Sequence, residues 1–177
     1  MRKQIQTERL TLRQTEVRDA MAFSKLASDF DVARMTGSIP FPFPLLAAEF
    51  KIMSFHAAKR RGLAHPYAIT LKGEDEMIGV TDLFKRDANG LWEIGYWIGR
   101  PYWAKGYMTE ACEALLEEAN RSLGVDDRIA GAFTDNLGSA RVLEKLGFEQ
   151  EGTPNHYFSM GRLKNALSQD YILRART

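Results

Sequence analysis

The spacing of apolar residues changes along the chain and predicts blocks of strands and helices. IQTERLTLRQ places Ile5, Leu10 and Leu12 as expected for the buried face of a strand. VRDAMAFSKLAS and LLAAEFKIMSFHAAKRRG then repeat apolar residues at helical intervals, and Gly62 ends the second of these helices. GSIPFPFP lies between them and cannot be helical, because its prolines fix the backbone and hold the preceding residues extended.

From residue 66 the apolar period becomes that of strands. PYAITLKG, EMIGVTDLFKR and LWEIGYWIG are strand-like runs separated by GEDE and DANG, in which Asn89-Gly90 is typical of a tight turn, and they predict an antiparallel meander. TEACEALLEEANRSLG is then a helix, RIAGAFT a strand and DNLGSARVLEKLG a helix, and the tail holds two strand candidates around Gly161. This order predicts a single α/β (α+β) domain over residues 1–177, with a strand–helix–strand crossover near its centre.

The same spacing predicts the apolar faces of the later helices. The expected positions are Leu46, Phe50, Met53 and Ala57 in the second helix, Ala111, Leu115, Ala119 and Leu123 in the third, and Leu137, Val142, Leu143 and Leu146, which should be buried, in the fourth. Asp135 or Asn136 is expected to cap the fourth helix, and Gly147 to end it.

The composition restricts the classes of function. The chain has 177 residues, 45% of them hydrophobic and 27% charged, as in ordinary globular domains. Its net charge is +1, from 24 basic and 23 acidic residues, so no charge-driven binding to nucleic acid or membranes is expected. Cys112 is its one cysteine and the three histidines lie far apart, so neither a disulfide nor a metal site is expected. Because we find no apolar signal core and no membrane-length apolar run, we expect a cytoplasmic protein.

The segment RPYWAKGYMTEA joins the strand EIGYWIG to the third helix. Such a joint can bind phosphate, because the first helical N–H groups have no intrahelical partner and the helix dipole favours negative charge. Gly106 allows the backbone to approach a ligand closely, and Lys105 adds a cation. The glycines of a Rossmann fingerprint and the Gly-Lys-Ser/Thr end of Walker A are absent. Two interpretations stay open on these residues alone, an anion site or a tight turn before an ordinary helix.

The order of the motifs resembles that of the GNAT superfamily of acetyl-CoA-dependent N-acetyltransferases. GYWIGRPYWAKGYMTEA is followed by a helix, a strand and DNLGSARVLEKLGF. IQTERLTLR and FEQEG are similar to the Rim-type branch, which acetylates N-terminal amines of ribosomal proteins. The resemblance covers nearly the whole chain, and it implies the GNAT fold, a mixed and mostly antiparallel sheet of about seven strands flanked by about four helices.

The resemblance implies a phosphate loop for acetyl-CoA. The family pattern has Gln or Arg at its first position, Gly at its fourth, and Gly or Ala at its sixth. Trp103, Gly106 and Met108 occupy these positions here, so only Gly106 fits strictly. The residues expected to hold the pyrophosphate are Trp103, Ala104, Lys105, Gly106, Tyr107, Met108 and Thr109.

Further matches extend the expected acetyl-CoA site beyond this loop. The backbone of Tyr96, Trp97 and Ile98 is expected to pair with the pantetheine arm like an added strand. Asn136 matches the family asparagine that bonds the pantetheine region, although it can equally serve as a helix N-cap. Ser139 matches a serine that lies near the thioester sulfur in Rim-type enzymes; otherwise it is a helix residue without a chemical role.

The reaction requires the amine to lose a proton and the leaving thiolate to be protonated or stabilised. Many GNAT enzymes carry a carboxylate on the strand before the phosphate loop, and Glu93 lies there; its alternative role is that of a solvent-facing strand residue. The usual GNAT tyrosine acid corresponds to Leu143, which has no proton to give, so Ser139 or water is expected in that role. Tyr157 and His156 are weaker candidates beside the expected acceptor site.

The resemblance therefore predicts a transferase that moves acetyl from acetyl-CoA to a primary amine by direct attack in a ternary complex. The expected acceptor is a protein N-terminus or a small-molecule amine; for a polyamine, Asp29 and Asp31 do not form a clear carboxylate cluster. Phe41 and Phe43, with their prolines, suit either a peptide or a moderately apolar amine. The alternative is a GNAT-fold CoA-binding or regulatory module without transferase activity. Either a monomer or a homodimer is compatible with the sequence.

Overall fold

The central element of the fold is a mixed sheet of eight strands with α-helices packed on both faces. The computed structural model describes residues 1–85, 90–124 and 127–175. The strands in these ranges are β1 (Gln4–Gln6), β2 (Leu10–Gln14), β3 (Tyr67–Leu71), β4 (Met77–Lys85), β5 (Trp92–Ile98), β6 (Arg128–Phe133), β7 (Glu149–Ser159) and β8 (Lys164–Leu173). The α-helices are α1 (Ala20–Ala27), α2 (Phe30–Ala33), α3 (Leu45–Arg60), α4 (Tyr107–Leu123) and α5 (Leu137–Lys145).

The strand order across the sheet is β1-β2-β3-β4-β5-β6-β8-β7, and each adjacent pair is antiparallel except β5 with β6. The predicted α+β class, the meander of β3, β4 and β5, and the crossover from β5 through α4 to β6 are therefore confirmed. Of the predicted DANG turn, residues 87–89 lie outside the described residues, whereas Gly90 has a positive φ of 81°.

Two elements were not predicted as they occur. The single strand expected at the amino terminus is the hairpin of β1 and β2, because the Thr7 N–H donates to the Leu10 carbonyl, the Thr7 hydroxyl accepts the Leu10 N–H, and the chain turns there. The four-residue helix α2 is additional; Asp29 caps it by accepting the N–H of Asp31. These additions give eight strands and five α-helices within the described ranges, close to the expected architecture.

Two apolar cores lie on opposite faces of the sheet. The larger core lies beneath α4 and α5 and includes the fully buried Leu115 and Leu143. The smaller core lies beneath α1, α2 and α3 and includes Phe23. Alternate residues of β5 enter the two cores, since Ile98 belongs to the larger and Trp97 to the smaller. These two sides are called the α4–α5 face and the α1–α3 face below.

The apolar face predicted for α3 occurs on the expected helix but does not enter the core. Leu46, Phe50 and Met53 are 61%, 61% and 56% exposed, whereas Ala48 and Ile52 are fully buried. The row of Ala48 and Ile52 belongs to the smaller core, which α3 shares with α1. Because α1 and the sheet cover that row, the row of larger residues faces solvent.

The apolar face predicted for α4 is confirmed, and that of α5 is partly wrong. Ala111, Leu115 and Ala119 of α4 are fully buried. In α5, Leu143 is fully buried but Leu137 is 62% exposed, because the first turn of this helix lies outside the larger core. Among the described helices, none combines the length and the apolar character that crossing a membrane requires.

Candidate active site

β5 and β6 are paired over only two residues and then diverge. The second of these pairs joins Glu93 to Ile129, and no later pair between the two strands occurs in the described residues. On its other edge β5 stays paired with β4 to its end. The predicted pantetheine contacts, Tyr96, Trp97 and Ile98, lie in the diverging part of β5. The edge of this part of β5 that faces away from β4 can accept an extended ligand as an added strand, beside the Ile98 carbonyl that accepts the Trp103 indole N–H.

A turn of 3-10 helix (Arg100–Tyr102) and a short loop join β5 to α4. Ala104 and Gly106 have positive φ angles of 58° and 78°, and Gly106 is the N-cap of α4. This left-handed conformation explains the glycine, because a side chain disfavours it. α4 begins at Tyr107, two residues before the predicted start, so the N–H groups from Tyr107 to Thr109 belong to its first turn and have no intrahelical acceptor.

Two large side chains beside Gly106 are held away from the loop backbone. The indole N–H of Trp103 donates to the Ile98 carbonyl at 2.8 Å and ties the loop to the end of β5. Met108 is 7% exposed and lies in the larger core, where its sulfur accepts a hydrogen bond from the Cys112 thiol at 3.5 Å. Met108, the residue that departs from the family pattern, therefore places its bulk in the core and not over the amides of the first turn.

Arg9 was not predicted as a site residue, yet it fixes the loop to the turn between β1 and β2. Its Nη1 donates to the Lys105 carbonyl at 3.0 Å, and its Nε donates to Glu110 at 2.7 Å. Thr7 donates to the same carboxylate at 2.6 Å. Burial acts to raise the pKa of Glu110, but the bonds from Thr7 and Arg9 outweigh burial and hold that pKa below its ordinary value. The ionised carboxylate thus anchors Arg9 beside the start of α4.

An open cleft of about 540 Å³ adjoins the start of α4. Its wall carries two cations, Arg9 and Lys145, beside the carboxylates of Glu8, Glu110 and Glu113; Gly106 and Thr109 also lie there. Sequence reasoning did not single out Lys145, since it looks like an ordinary basic residue at the end of α5. The TERL stretch that contains Arg9 was part of the family resemblance, so Arg9 had a usable signal.

Asn136 and Ser139 lie at the start of α5, and Ser139 contacts β5. The Asn136 side chain accepts the Ser139 N–H at 3.1 Å, so the predicted N-cap role is present. The Tyr96 hydroxyl lies 2.9 Å from Ser139 Oγ and 3.3 Å from the Ser139 carbonyl. Burial raises the pKa of Tyr96 above its ordinary value. Sequence reasoning assigned only the backbone of Tyr96, because no local pattern reports a contact between residues 43 positions apart.

Glu93 lies on the α1–α3 face, four residues before Trp97 on the same strand. Asp82 of β4 is paired with Gly95, which places Asp82 and Glu93 as diagonal neighbours on this face, about 7–8 Å apart between backbones. Burial raises the pKa of Asp82 to about 7, although the N–H of His65 and the charge of Lys51 act in the other direction. Asp82 was not predicted from the sequence.

Beyond β6 the α1–α3 face continues over β8 and β7. Asp170 is paired with Gly131 and accepts a hydrogen bond from Asn155 at 2.9 Å. Tyr157 lies on the same face, with its ring 6.3 Å from that of Phe133. His156, the neighbour of Tyr157 on β7, points to the opposite face. Of the two weaker candidates, only Tyr157 borders this surface.

The sequence matches the acetyltransferase (GNAT) domain family over residues 9–149, which include both the diverging strands and the loop. The chain belongs to the GNAT acetyltransferase family.

Relatives of this GNAT domain are N-acetyltransferases. An uncharacterized N-acetyltransferase, p20 of Bacillus licheniformis, is 34% identical over 152 residues, 85% of each chain. The [ribosomal protein uS5]-alanine N-acetyltransferase of Escherichia coli is 30% identical over 129 residues, 71% of this chain and 62% of the other. The structure of Mycobacterium smegmatis RimJ, solved with CoA-disulfide, matches with a TM-score of 0.81 at 21% identity. The match covers 94% of this chain and 82% of the RimJ chain. The predicted Rim-type branch and GNAT fold are confirmed, and the protein is an N-acetyltransferase.

At the opening of this GNAT site, ion pairs join segments that lie far apart in sequence. Asp135, which precedes Asn136, binds Arg162 of the β7–β8 turn through two bonds of 2.7 and 2.9 Å. It also pairs with Arg34 at 3.2 Å. Asp31 pairs with Arg34 at 3.0 Å and with Arg100, which precedes the predicted phosphate loop, at 3.2 Å. Asp31, considered above as an amine ligand, is therefore engaged by two arginines.

Leu143, which the resemblance matches to the GNAT tyrosine acid, is fully buried in the larger core. It contributes packing and no proton. The hydroxyl groups that the described residues bring together near the diverging strands are those of Tyr96 and Ser139. On β5 itself, the candidate site therefore has the carboxyl group of Glu93 on one face and the hydroxyl of Tyr96, bonded to that of Ser139, on the other.

Proposed function

We propose that the protein transfers the acetyl group of acetyl-CoA to a primary amine by direct attack in a ternary complex. The observation that carries this proposal is that the free edge of β5 continues into the free amides at the start of α4. A pantetheine arm bonded along Tyr96 and Ile98 would end with its pyrophosphate at the first turn from Tyr107 to Thr109. The CoA-disulfide in the RimJ structure, which shares the fold, supports the same ligand.

The residues around the loop fit this ligand. A Cβ at Gly106 would come within 3.4 Å of Arg9 Nη2, so glycine keeps the space between loop and guanidinium open. Arg9, Lys105 and Lys145 provide cations for the phosphates. Acetyl-CoA, when bound, supplies the activated thioester. Trp103 fixes the loop through its bond to the Ile98 carbonyl.

On the acceptor side, Glu93 takes the proton that the amine must lose. A primary amine is protonated at neutral pH and becomes a nucleophile only after deprotonation. Glu93 lies on the α1–α3 face, in the last residue pair between β5 and β6 before the two strands separate. Asp170 lies on the same face and adds negative potential, to which Asp82 contributes when it is ionised, and this potential favours the approach of a cationic amine.

On the donor side, Ser139 donates a hydrogen bond to the developing thiolate. Its hydroxyl lies on the α4–α5 face of β5, opposite Glu93 across the plane of the sheet. The two groups therefore act on different atoms of the same reaction, the amine nitrogen and the sulfur. Holding amine and thioester together between them supplies much of the rate.

The acceptor is a protein N-terminus or a small-molecule amine. The name of the Escherichia coli relative, an N-acetyltransferase of ribosomal protein uS5, supports the first. The aromatic surface of Phe133 and Tyr157 beyond Glu93 suits the side chains of a short peptide.

A binding titration followed by an acceptor panel tests the proposal. Calorimetry with acetyl-CoA is expected to show one binding site per chain. Release of free thiol is then measured with peptides that carry free or acetyl-blocked N-termini, and with small primary amines. Release with at least one free amine and with no blocked peptide is the expected result. Absence of acetyl-CoA binding contradicts the proposal, and binding without release from any amine favours a CoA-binding module.

A further inference from the structure

The Tyr96 hydroxyl is placed where it can set the direction of the Ser139 hydroxyl. Its contacts among the described residues are Ser139 Oγ at 2.9 Å and the Ser139 carbonyl at 3.3 Å. The shorter distance is in the normal range for an O–H···O bond and the longer one lies outside it. Tyr96 therefore bonds chiefly to the side chain of Ser139.

We propose that Tyr96 is a positioning residue for acetyl transfer: its hydroxyl donates to Ser139 Oγ and directs the Ser139 O–H at the sulfur of CoA. This inference rests on the proposed function and adds a residue to its donor side. A serine in the first turn of a helix has a freely rotating hydroxyl that also bonds to nearby backbone carbonyls. A donor fixed to Oγ satisfies one lone pair and leaves the Ser139 proton free for another acceptor.

Tyr96 performs this role without giving up its own proton. Burial raises its pKa, so the phenol stays protonated throughout the neutral range. As the new C–N bond forms and the C–S bond breaks, the electron pair of the C–S bond remains on sulfur. Glu93 passes the proton of the ammonium group to solvent before the attack and takes the second amine proton as the C–N bond forms, while the thiolate is held by the Ser139 O–H until solvent protonates it. Both hydroxyl protons stay on their oxygens, so the pair acts as a fixed dipole aimed at developing charge.

A double-mutant cycle tests this role. Tyr96→Phe keeps the ring and removes the hydroxyl; it is expected to lower kcat about tenfold, as for one lost hydrogen bond, with the KM for acetyl-CoA nearly unchanged. Ser139→Ala is expected to lower kcat at least as much. The double variant should match Ser139→Ala alone, because Tyr96 acts through Ser139.

Tyr67→Phe is the matched control. The Tyr67 hydroxyl also donates a hydrogen bond on the α4–α5 face, partly buried, but to the Arg2 carbonyl. Its loss should lower thermal stability and leave kcat unchanged. If Tyr96→Phe has wild-type kcat in an active enzyme, or if its effect adds to that of Ser139→Ala, the inference is wrong while the proposed function stands. A wild-type protein that releases no thiol from any amine overturns both.

A spectroscopic measurement checks the same role without turnover. CoA bound to the wild-type protein is titrated with base while the ultraviolet absorbance of the thiolate is followed, with desulfo-CoA as the blank. The thiol of bound CoA is expected to ionise at lower pH than that of free CoA, because the Ser139 O–H stabilises the thiolate. Tyr96→Phe and Ser139→Ala should both return its pKa toward the free value. Identical titrations for wild type and Tyr96→Phe overturn the inference.

Discussion

The two faces of the sheet beside β5 differ in charge. The α4–α5 face presents Tyr96 and Ser139, two neutral hydroxyls bonded to each other above an apolar core. The α1–α3 face presents the carboxylates of Glu93, Asp82 and Asp170. A neutral hydroxyl pair suits a thioester, whereas a group of carboxylates suits a cationic amine. Because the sheet separates these groups, single substitutions should impair either the donor or the acceptor side.

The largest effect is expected at Glu93, on the acceptor side. Glu93→Gln should lower kcat about 100-fold, since removal of a general base typically costs that much or more. The Kd for acetyl-CoA should stay that of the wild type, because the donor side is intact. Steady-state kinetics and calorimetry measure the two quantities.

Glu149→Gln provides the control for Glu93. Glu149 is paired with Ile172, which is paired with Ile129, the partner of Glu93, so both glutamates lie in one row across the same face. A change in kcat of similar size in both variants would show that charge on this face matters and that Glu93 has no special role.

On the donor side, the next largest effect is expected at Gly106. A side chain at its φ of 78° costs about 1–2 kcal/mol, which the loop avoids only by leaving the conformation that presents its amides. Gly106→Ala should therefore raise the Kd for acetyl-CoA about tenfold and leave kcat at saturation nearly unchanged. Gly73→Ala is the matched control, because Gly73 has a φ of 85° and no atom within 4 Å of a Cβ there. Equal Kd values for the two variants would contradict a phosphate-binding role for the loop.

The loop and the helix starts of this proposed donor side could be predicted from the sequence, whereas the contacts between distant side chains could not. Gly106 follows a strand and precedes a helix, and Asn136 precedes another helix, so both signals are local. The pairs Tyr96–Ser139 and Arg9–Glu110 span 43 and 101 positions, and no local period reports them. They follow only once the strand order and the faces of the sheet are known.

The acceptor side was harder to predict for a related reason. Asp82 looks like any polar residue of a strand, and its raised pKa results from burial that tertiary packing alone creates. On α3 the apolar spacing pointed to Phe50, yet α1 covers the other side of the helix and buries Ile52. The helix itself was predicted correctly because the apolar period identifies a helix. Which of its two apolar rows is buried depends on α1, the helix packed against it.

A smaller effect is expected at Asp82, and it concerns the pH dependence of the free energy of unfolding. Its pKa is about 7 in the folded protein and about 3.9 in an unfolded chain, so the unfolded state releases its proton first as the pH rises. The Asp82 contribution to stability is therefore present at low pH, falls between about pH 4 and pH 7, and then levels off. Asp82→Asn should remove this fall and be more stable than the wild type at pH 8 by roughly 1–2 kcal/mol.

Urea denaturation from about pH 5 to pH 8 measures the difference in the free energy of unfolding between Asp82→Asn and the wild type. Glu151→Gln, an exposed carboxylate on the same face, should keep the wild-type pH profile. Parallel profiles for Asp82→Asn and the wild type would show that Asp82 is ionised at neutral pH despite its burial.

The smallest effect is expected at Asp135, whose ion pairs join the two sides. Asp135 is held by Arg162 and Arg34, and it precedes Asn136 at the donor side, while Arg34 follows α2 on the acceptor side. Because the Asp135 side chain is 48% exposed, Asp135→Asn should cost less than about 1 kcal/mol of stability. The Kd for acetyl-CoA and the KM for the amine should each rise about two- to threefold, with kcat unchanged.

The salt dependence of the two constants shows whether the effect of Asp135→Asn comes from lost ion pairs or from lost packing. High ionic strength screens exposed ion pairs, so the wild-type constants should approach those of Asp135→Asn as salt is added, while the variant itself changes little. Glu151→Gln removes another exposed pair, with Arg174 at 3.3 Å, and should have wild-type constants at low salt. If Asp135→Asn raises only one of the two constants, the ion pairs support one side and do not join the faces. If it raises both equally and salt abolishes the difference, these pairs align the donor with the acceptor.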